Sequence, residues 1–72
     1  MAEIIDASGL SCPQPVLMTI GKIKAMGKGE IEILVDTDTS KENVSRAARN
    51  QGWSVAEVGE SEGGYRVLIR KD

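Results

Sequence analysis

The feature that most restricts the fold is the spacing of apolar residues, which switches along the chain between a period of two and a period near 3.6. Glu30-Ile31-Glu32-Ile33-Leu34-Val35-Asp36 alternates and then turns continuously apolar, the pattern of a central strand with one face on a core. Gly27-Lys28-Gly29 precedes it and stops a helix predicted from about Pro13 to Met26. In that helix Val16, Leu17, Ile20, Ile23 and Lys24 fall at spacings of three and four and define one apolar face. Upstream, Ile4 and Ile5 ahead of Asp6-Ala7-Ser8-Gly9 predict a short strand running into a turn-rich loop. Downstream, Asp36-Thr37-Asp38 turns the chain, and Thr39-Ser40-Lys41-Glu42 fits a capping box with Thr39 as the cap of a second helix. Val44, Ala47, Ala48 and Gln51 form that helix's stripe, and Gly52 ends it. Trp53 to Val58 and Tyr65 to Arg70 read as two strands, joined by the polar, glycine-rich stretch Gly59 to Gly64 as a hairpin loop.

The order strand, helix, strand, helix, strand, strand predicts an α+β fold. Right-handed crossovers place both helices on one face of a mixed four-stranded sheet, a two-layer α/β sandwich with β-α-β-α-β-β connectivity. Residues 1–72 are expected to form a single domain, because a chain of 72 residues buries only about 60% of its unfolded surface and has room for one core. The second sheet face has no covering layer. The last strand offers Arg66, Leu68 and Arg70 on one side and Tyr65, Val67 and Ile69 on the other, and alternation alone does not choose between them.

Composition removes whole classes of chemistry. The chain contains no His, so Ser-His-Asp and Cys-His catalysis and His-containing zinc sites cannot be built from it alone. Its single Cys rules out an intrachain disulfide, a two-thiol redox switch and Cys-clustered metal sites. No metal site and no cofactor are expected. Nine basic against eleven acidic residues give a net charge of −2, with no basic excess to draw nucleic acid directly. No apolar run approaches the roughly 20 residues that span a bilayer, and the first residues lack a signal-peptide pattern, so a reducing cytoplasm is the expected compartment.

Cys12 is the residue whose setting suits reactivity. It is expected at the N-cap of the first helix, directly before Pro13 at the first helical position. A helix N-terminus presents unpaired amides and a partial positive charge, which favour thiolate over thiol and lower a Cys pKa from about 8.5 toward neutrality. Pro13 and Pro15 have no amide hydrogen, leaving the amides of Gln14 and Val16 as donors toward the sulfur, while Gly9 and Ser11 shape the approach. A lone thiolate with no base beside it is suited to attack on sulfane sulfur or a disulfide, which needs only an accessible sulfur and a leaving thiolate. Peptide or ester hydrolysis would also need an acid for the leaving group. The opposing reading is a buried, apolar filler cysteine. Two further readings stand beside the carrier: a non-catalytic interaction adaptor with Cys12 incidental, and a redox sensor acting through an intermolecular disulfide.

The stretch from Asp6 to Val16 resembles the signature of the TusA/SirA family of small sulfur-carrier proteins, its Gly-Leu-x-Cys-Pro-x-Pro core matched at Gly9, Leu10, Cys12, Pro13 and Pro15. The resemblance covers the whole chain. It implies that Cys12 carries a persulfide, received from a cysteine desulfurase or rhodanese-like donor and passed to an acceptor protein. Val35-Asp36 together with Lys41 to Arg46 resembles the YedF-type branch, associated with sulfur or selenium metabolism. Gln14 stands where the tRNA-thiolation carrier has an acidic residue, so the acceptor, and with it tRNA thiolation as an end point, is left open, as is the oligomeric state.

Other features read as structural. Asp36 and Asp38 lack the rest of an oxygen-rich cation loop and suit turn and cap chemistry. Gly27-Lys28-Gly29 lacks the frame of a phosphate loop. Lys22, Lys24, Lys28, Lys41, Arg46 and Arg49 place positive charge on or beside the helices, as a solvated face able to dock an acidic partner. Met18 and Met26 read as packing residues, and Trp53 as a partly buried anchor.

Overall fold

The structure is a computed structural model that describes residues 3–9, 14–61 and 63–72. Its elements run β1 (Glu3–Asp6), α1 (Gln14–Met26), β2 (Gly29–Val35), α2 (Asp38–Asn50), β3 (Ser54–Ser61) and β4 (Gly64–Lys71). The strands form one sheet in the order β1-β2-β4-β3, with β1 parallel to β2 and β4 antiparallel to both of its neighbours. The α+β class, the mixed four-stranded sheet and the two helices follow the sequence pattern.

One sheet face packs on the helices. Ile5, Ile31, Ile33, Val35, Val67 and Ile69 join Ile23 of α1 and Val44 and Ala48 of α2 in a single aliphatic core, closed by Trp53. Each fully buried Ile or Val contributes roughly 1.5–3 kcal/mol by leaving water. This settles the choice in β4. Val67 and Ile69 point inward with Tyr65 packed at the margin, and Arg66, Leu68 and Arg70 take the opposite face. There Arg66 Nη1 donates to Glu32 Oε1 at 2.9 Å and Nη2 donates to Glu57, an arrangement that holds the guanidinium pKa above its ordinary value, Glu32 contributing first. Trp53 is more deeply buried than a partial anchor, at 3% exposure, and its amide donates to the Ala48 carbonyl.

Several sequence expectations are corrected. α2 begins two residues before the expected capping box. Thr37, with extended backbone, is its N-cap and accepts the Ser40 amide at 3.1 Å, so Thr39 lies within the first turn. The earlier start places Asp38 in that turn, where its charge opposes the helix dipole favourably. Gln51 is exposed at the C-cap, whereas Ser40 and Ser45 are buried; Ser45 Oγ donates to the Lys41 carbonyl, which lets a hydroxyl sit inside.

In α1 the buried line is Pro15, Thr19 and Ile23, at spacings of four. Leu17, placed by spacing on the apolar face, is 56% exposed. Thr19 takes the buried position because its Oγ1 donates to the Pro15 carbonyl at 2.8 Å, satisfying its only polar atom. The hairpin loop is also shorter than expected. β3 and β4 pair as far as Ser61 and Gly64, so Gly59, Glu60 and Ser61 belong to a strand and only two residues intervene. Between Val55 and Glu57 the register shifts, leaving Ala56 as a bulge on the edge strand β3.

Candidate functional site

The parallel pairing of β1 with β2 determines where the motif lies. Asp6 stands opposite Leu34, and both strands leave the sheet at the same end. Crevices beyond the carboxyl ends of parallel strands are the usual place for sites in such sheets. Here the chain leaving β1 passes through Ala7, Ser8 and Gly9 toward α1, while the chain leaving β2 passes through Asp36 to α2.

Three bonds order the exit from β1. The Ala7 amide donates to the Leu34 carbonyl at 2.8 Å, extending the ladder past the strand. The Ser8 amide donates to Asp6 Oδ1 at 3.1 Å, a local Asx turn, and the Gly9 amide donates to Asp36 Oδ2 at 2.8 Å. Gly9 has a φ of +80°, a conformation that costs a side-chain-bearing residue roughly 1–2 kcal/mol. A Cβ there would meet nothing within 4 Å, so its backbone, and not crowding, calls for glycine.

On the far side of the motif, α1 is helical from Gln14. Gln14 is exposed, Pro15 is buried, and Val16 is half-buried on a groove of about 420 Å³ between the helices, shared with Ile20 and Ala47. The first turn of α1 contains no acidic side chain. First-turn amides have no intrahelical acceptor, and Pro15 has no amide hydrogen, so Gln14 and Val16 remain the donors. Of the expected site residues, Gly9, Gln14, Pro15 and Val16 are therefore placed at the two ends of the motif. Leu10, Ser11, Cys12 and Pro13 lie outside the described residues, as do the assignments of Cys12 to the N-cap and Pro13 to the first helical position.

Two ion pairs tie the helices locally, one at the start of α2 and one between α1 and the opposite end of β1. Asp38 binds Lys41 Nζ at 2.8 Å, which keeps the lysine pKa above its ordinary value, and the ammonium also lies 4.6 Å from the Tyr65 ring centroid. Lys22 crosses to Glu3 of β1 at 2.9 Å, and its hydrogen bond lowers the Glu3 carboxyl pKa. Lys24, Arg46 and Arg49 are exposed on the helical layer. Among the described residues, no cluster of three or more His, Cys, Asp or Glu side chains could hold a metal ion, and no helix is long and apolar enough to cross a membrane. The residue that sequence reasoning passed over is Asp36: read as turn chemistry, it instead reaches across the sheet end to a residue 27 positions away. Its position just after the strand was the available signal.

Residues 3–71 match the family described as Sulfurtransferase TusA. The chain belongs to the TusA family. It is 33% identical over 69 residues to the sulfur carrier protein TusA of Pseudomonas aeruginosa, covering 94% of this chain and 87% of that one. It is 34% identical over 68 residues to the YedF protein of Escherichia coli K12, covering 93% and 88%. These two identities do not favour one branch of the TusA family over the other. Among solved structures, the SirA-like protein of Desulfitobacterium hafniense superposes with a TM-score of 0.85 at 33% identity, covering 93% of each chain. The TusA family and its SirA-like fold are thus those that the Gly9–Pro15 motif and the element order imply.

Proposed function

We propose that this protein is a sulfur carrier of the sulfurtransferase type, with Cys12 as the sulfur-bearing residue. The observation that carries the reading is the start of α1: a helix begins by Gln14, two residues after the chain's only thiol, with no acid in its first turn. Its dipole and free amides favour a thiolate nearby. The Cys12 thiolate attacks the outer sulfur of a donor persulfide, forming a new S–S bond on Cys12 as the donor's own S–S bond breaks and its thiolate leaves. An acceptor protein's thiolate then attacks the outer sulfur on Cys12, taking it as a persulfide and releasing the Cys12 thiolate. Oxidation states balance across each exchange, and no general base is required.

Pro13 and Pro15 stiffen the helix start, Gln14 and Val16 donate amides, and Gly9 and Ser11 shape access. The donor is of the cysteine desulfurase or rhodanese-like class, the acceptor is a protein of a sulfur relay, and the compartment is the reducing cytoplasm. The test is to incubate reduced protein with a cysteine desulfurase and cysteine and to measure intact mass without reductant. The expected result is a gain of one sulfur atom, reversed by thiols and absent from Cys12→Ser. An unmodified wild type, with both the desulfurase and polysulfide as donors, would overturn the reading.

A further inference from the structure

Building on the reading of Cys12 as the sulfur-bearing residue, we infer that Asp36 is a positioning residue for it, its carboxylate anchoring the segment that leads into the motif. The geometry is specific. In the parallel ladder the Ala7 amide donates to the Leu34 carbonyl, so the next bond in sequence would join the Gly9 amide to the main-chain carbonyl of Asp36. The carboxylate takes that place: Gly9 N to Asp36 Oδ2 is 2.8 Å. The ladder thus ends in a charge-assisted bond, stronger than one between neutral groups, three residues before Cys12.

Asp36 is itself held from the opposite side. A Cβ on Gly64 would lie 2.2 Å from the Val35 carbonyl oxygen and 2.9 Å from Asp36 Cα, so β4 begins directly against this backbone with no side chain between. The Val35↔Tyr65 pairing continues that contact into the sheet. The carboxylate that holds Gly9 therefore extends from main chain packed against β4, and Gly9 meets it with a backbone conformation suited to glycine. Asp38, two residues on, has the same charge but turns to Lys41 in its own helix. Removing Asp38 therefore takes away the same charge while leaving the Gly9 bond in place. Asp36 supplies an acceptor oxygen at the place where the ladder's next carbonyl would stand, which Asp38 does not.

The full chain tests this with Asp36→Ala, Asp36→Asn, Asp38→Ala and Cys12→Ser. Persulfide formation from inorganic polysulfide is followed by intact mass, and hydrogen exchange of the Gly9 amide by NMR. Asp36→Ala is expected to load sulfur about fivefold more slowly, on the scale of one lost hydrogen bond to a charged group at an exposed site, with faster Gly9 exchange and a melting curve close to wild type. Asp36→Asn keeps an acceptor oxygen and restores loading to within about twofold, and Asp38→Ala stays at the wild-type rate. Equal loading by wild type and Asp36→Ala would overturn this inference alone. Equal slowing by Asp36→Ala and Asp38→Ala would assign the effect to charge and also overturn it. A wild type that never loads, or a Cys12→Ser protein that loads as well as the wild type, would overturn the carrier reading and the positioning role with it.

Discussion

The two helices each run 13 residues, and their described first turns differ in charge. α2 completes its own N-terminus: Thr37 accepts the Ser40 amide, and Asp38 sets a carboxylate in the first turn. α1 does neither within its described residues, since it starts on Gln14-Pro15 with no acid in the first turn. Unpaired amides at a helix start cost stability unless something accepts from them. α2 meets that requirement with Thr37 and Asp38, whereas the described first turn of α1 supplies no acid of its own. The same contrast extends to their sides, for α2 buries Val44, Ala47 and Ala48 under a charged outer surface, while α1 leaves Leu17 and Met18 exposed.

Substitutions that separate folding from chemistry sharpen this contrast. The largest effect is expected within α1 itself. Ile23→Ala should cost about 2–5 kcal/mol in denaturant unfolding as a core truncation, whereas Leu17→Ala should stay within about 0.5 kcal/mol because that side chain is already in water. Equal losses would place Leu17 in the core. Next, Thr37→Ala should cost about 1 kcal/mol of stability through the lost cap and leave the alkylation rate of Cys12 unchanged. A slower thiol in that variant would break the division of roles between the helices.

Gln14→Glu gives α1 the acid that α2 has. It should leave stability nearly unchanged or slightly higher, yet slow iodoacetamide alkylation of Cys12 at neutral pH about two- to fivefold, the size of a charge placed at a helix end. The smallest effect concerns the ion pair between α1 and β1. The Glu3 carboxyl pKa is lowered in the folded state by Lys22, so the pair's contribution is present above the carboxyl's unfolded pKa and is lost as pH falls through the folded one. Lys22→Ala should therefore cost a small amount of stability at neutral pH and none once the pH lies below the folded carboxyl pKa, so the fall on acidification is smaller than in wild type, as melting curves across that range would show.

The element order and the sheet were legible because the alternation in Glu30 to Asp36 and the glycines at Gly27, Gly29 and Gly52 carry strong local signals. The start of α2 was not, since Thr37 and Thr39 are both acceptable caps and the choice depends on where β2 releases the chain. Spacing alone could not place Leu17 outside and Thr19 inside. That depended on the hydroxyl of Thr19 finding the Pro15 carbonyl. Gly9 and the ends of the motif were readable from residue type, whereas the role of Asp36 arises from the parallel register of two strands far apart in sequence.

The most direct test of the contrast between the helix starts is the pH dependence of Cys12 alkylation in the reduced wild-type chain. The account predicts a thiol pKa clearly below the roughly 8.5 of a free cysteine, moved upward by Gln14→Glu. A pKa at or above that value, unaffected by Gln14→Glu, would contradict it and show that the first turn of α1 does nothing for the sulfur.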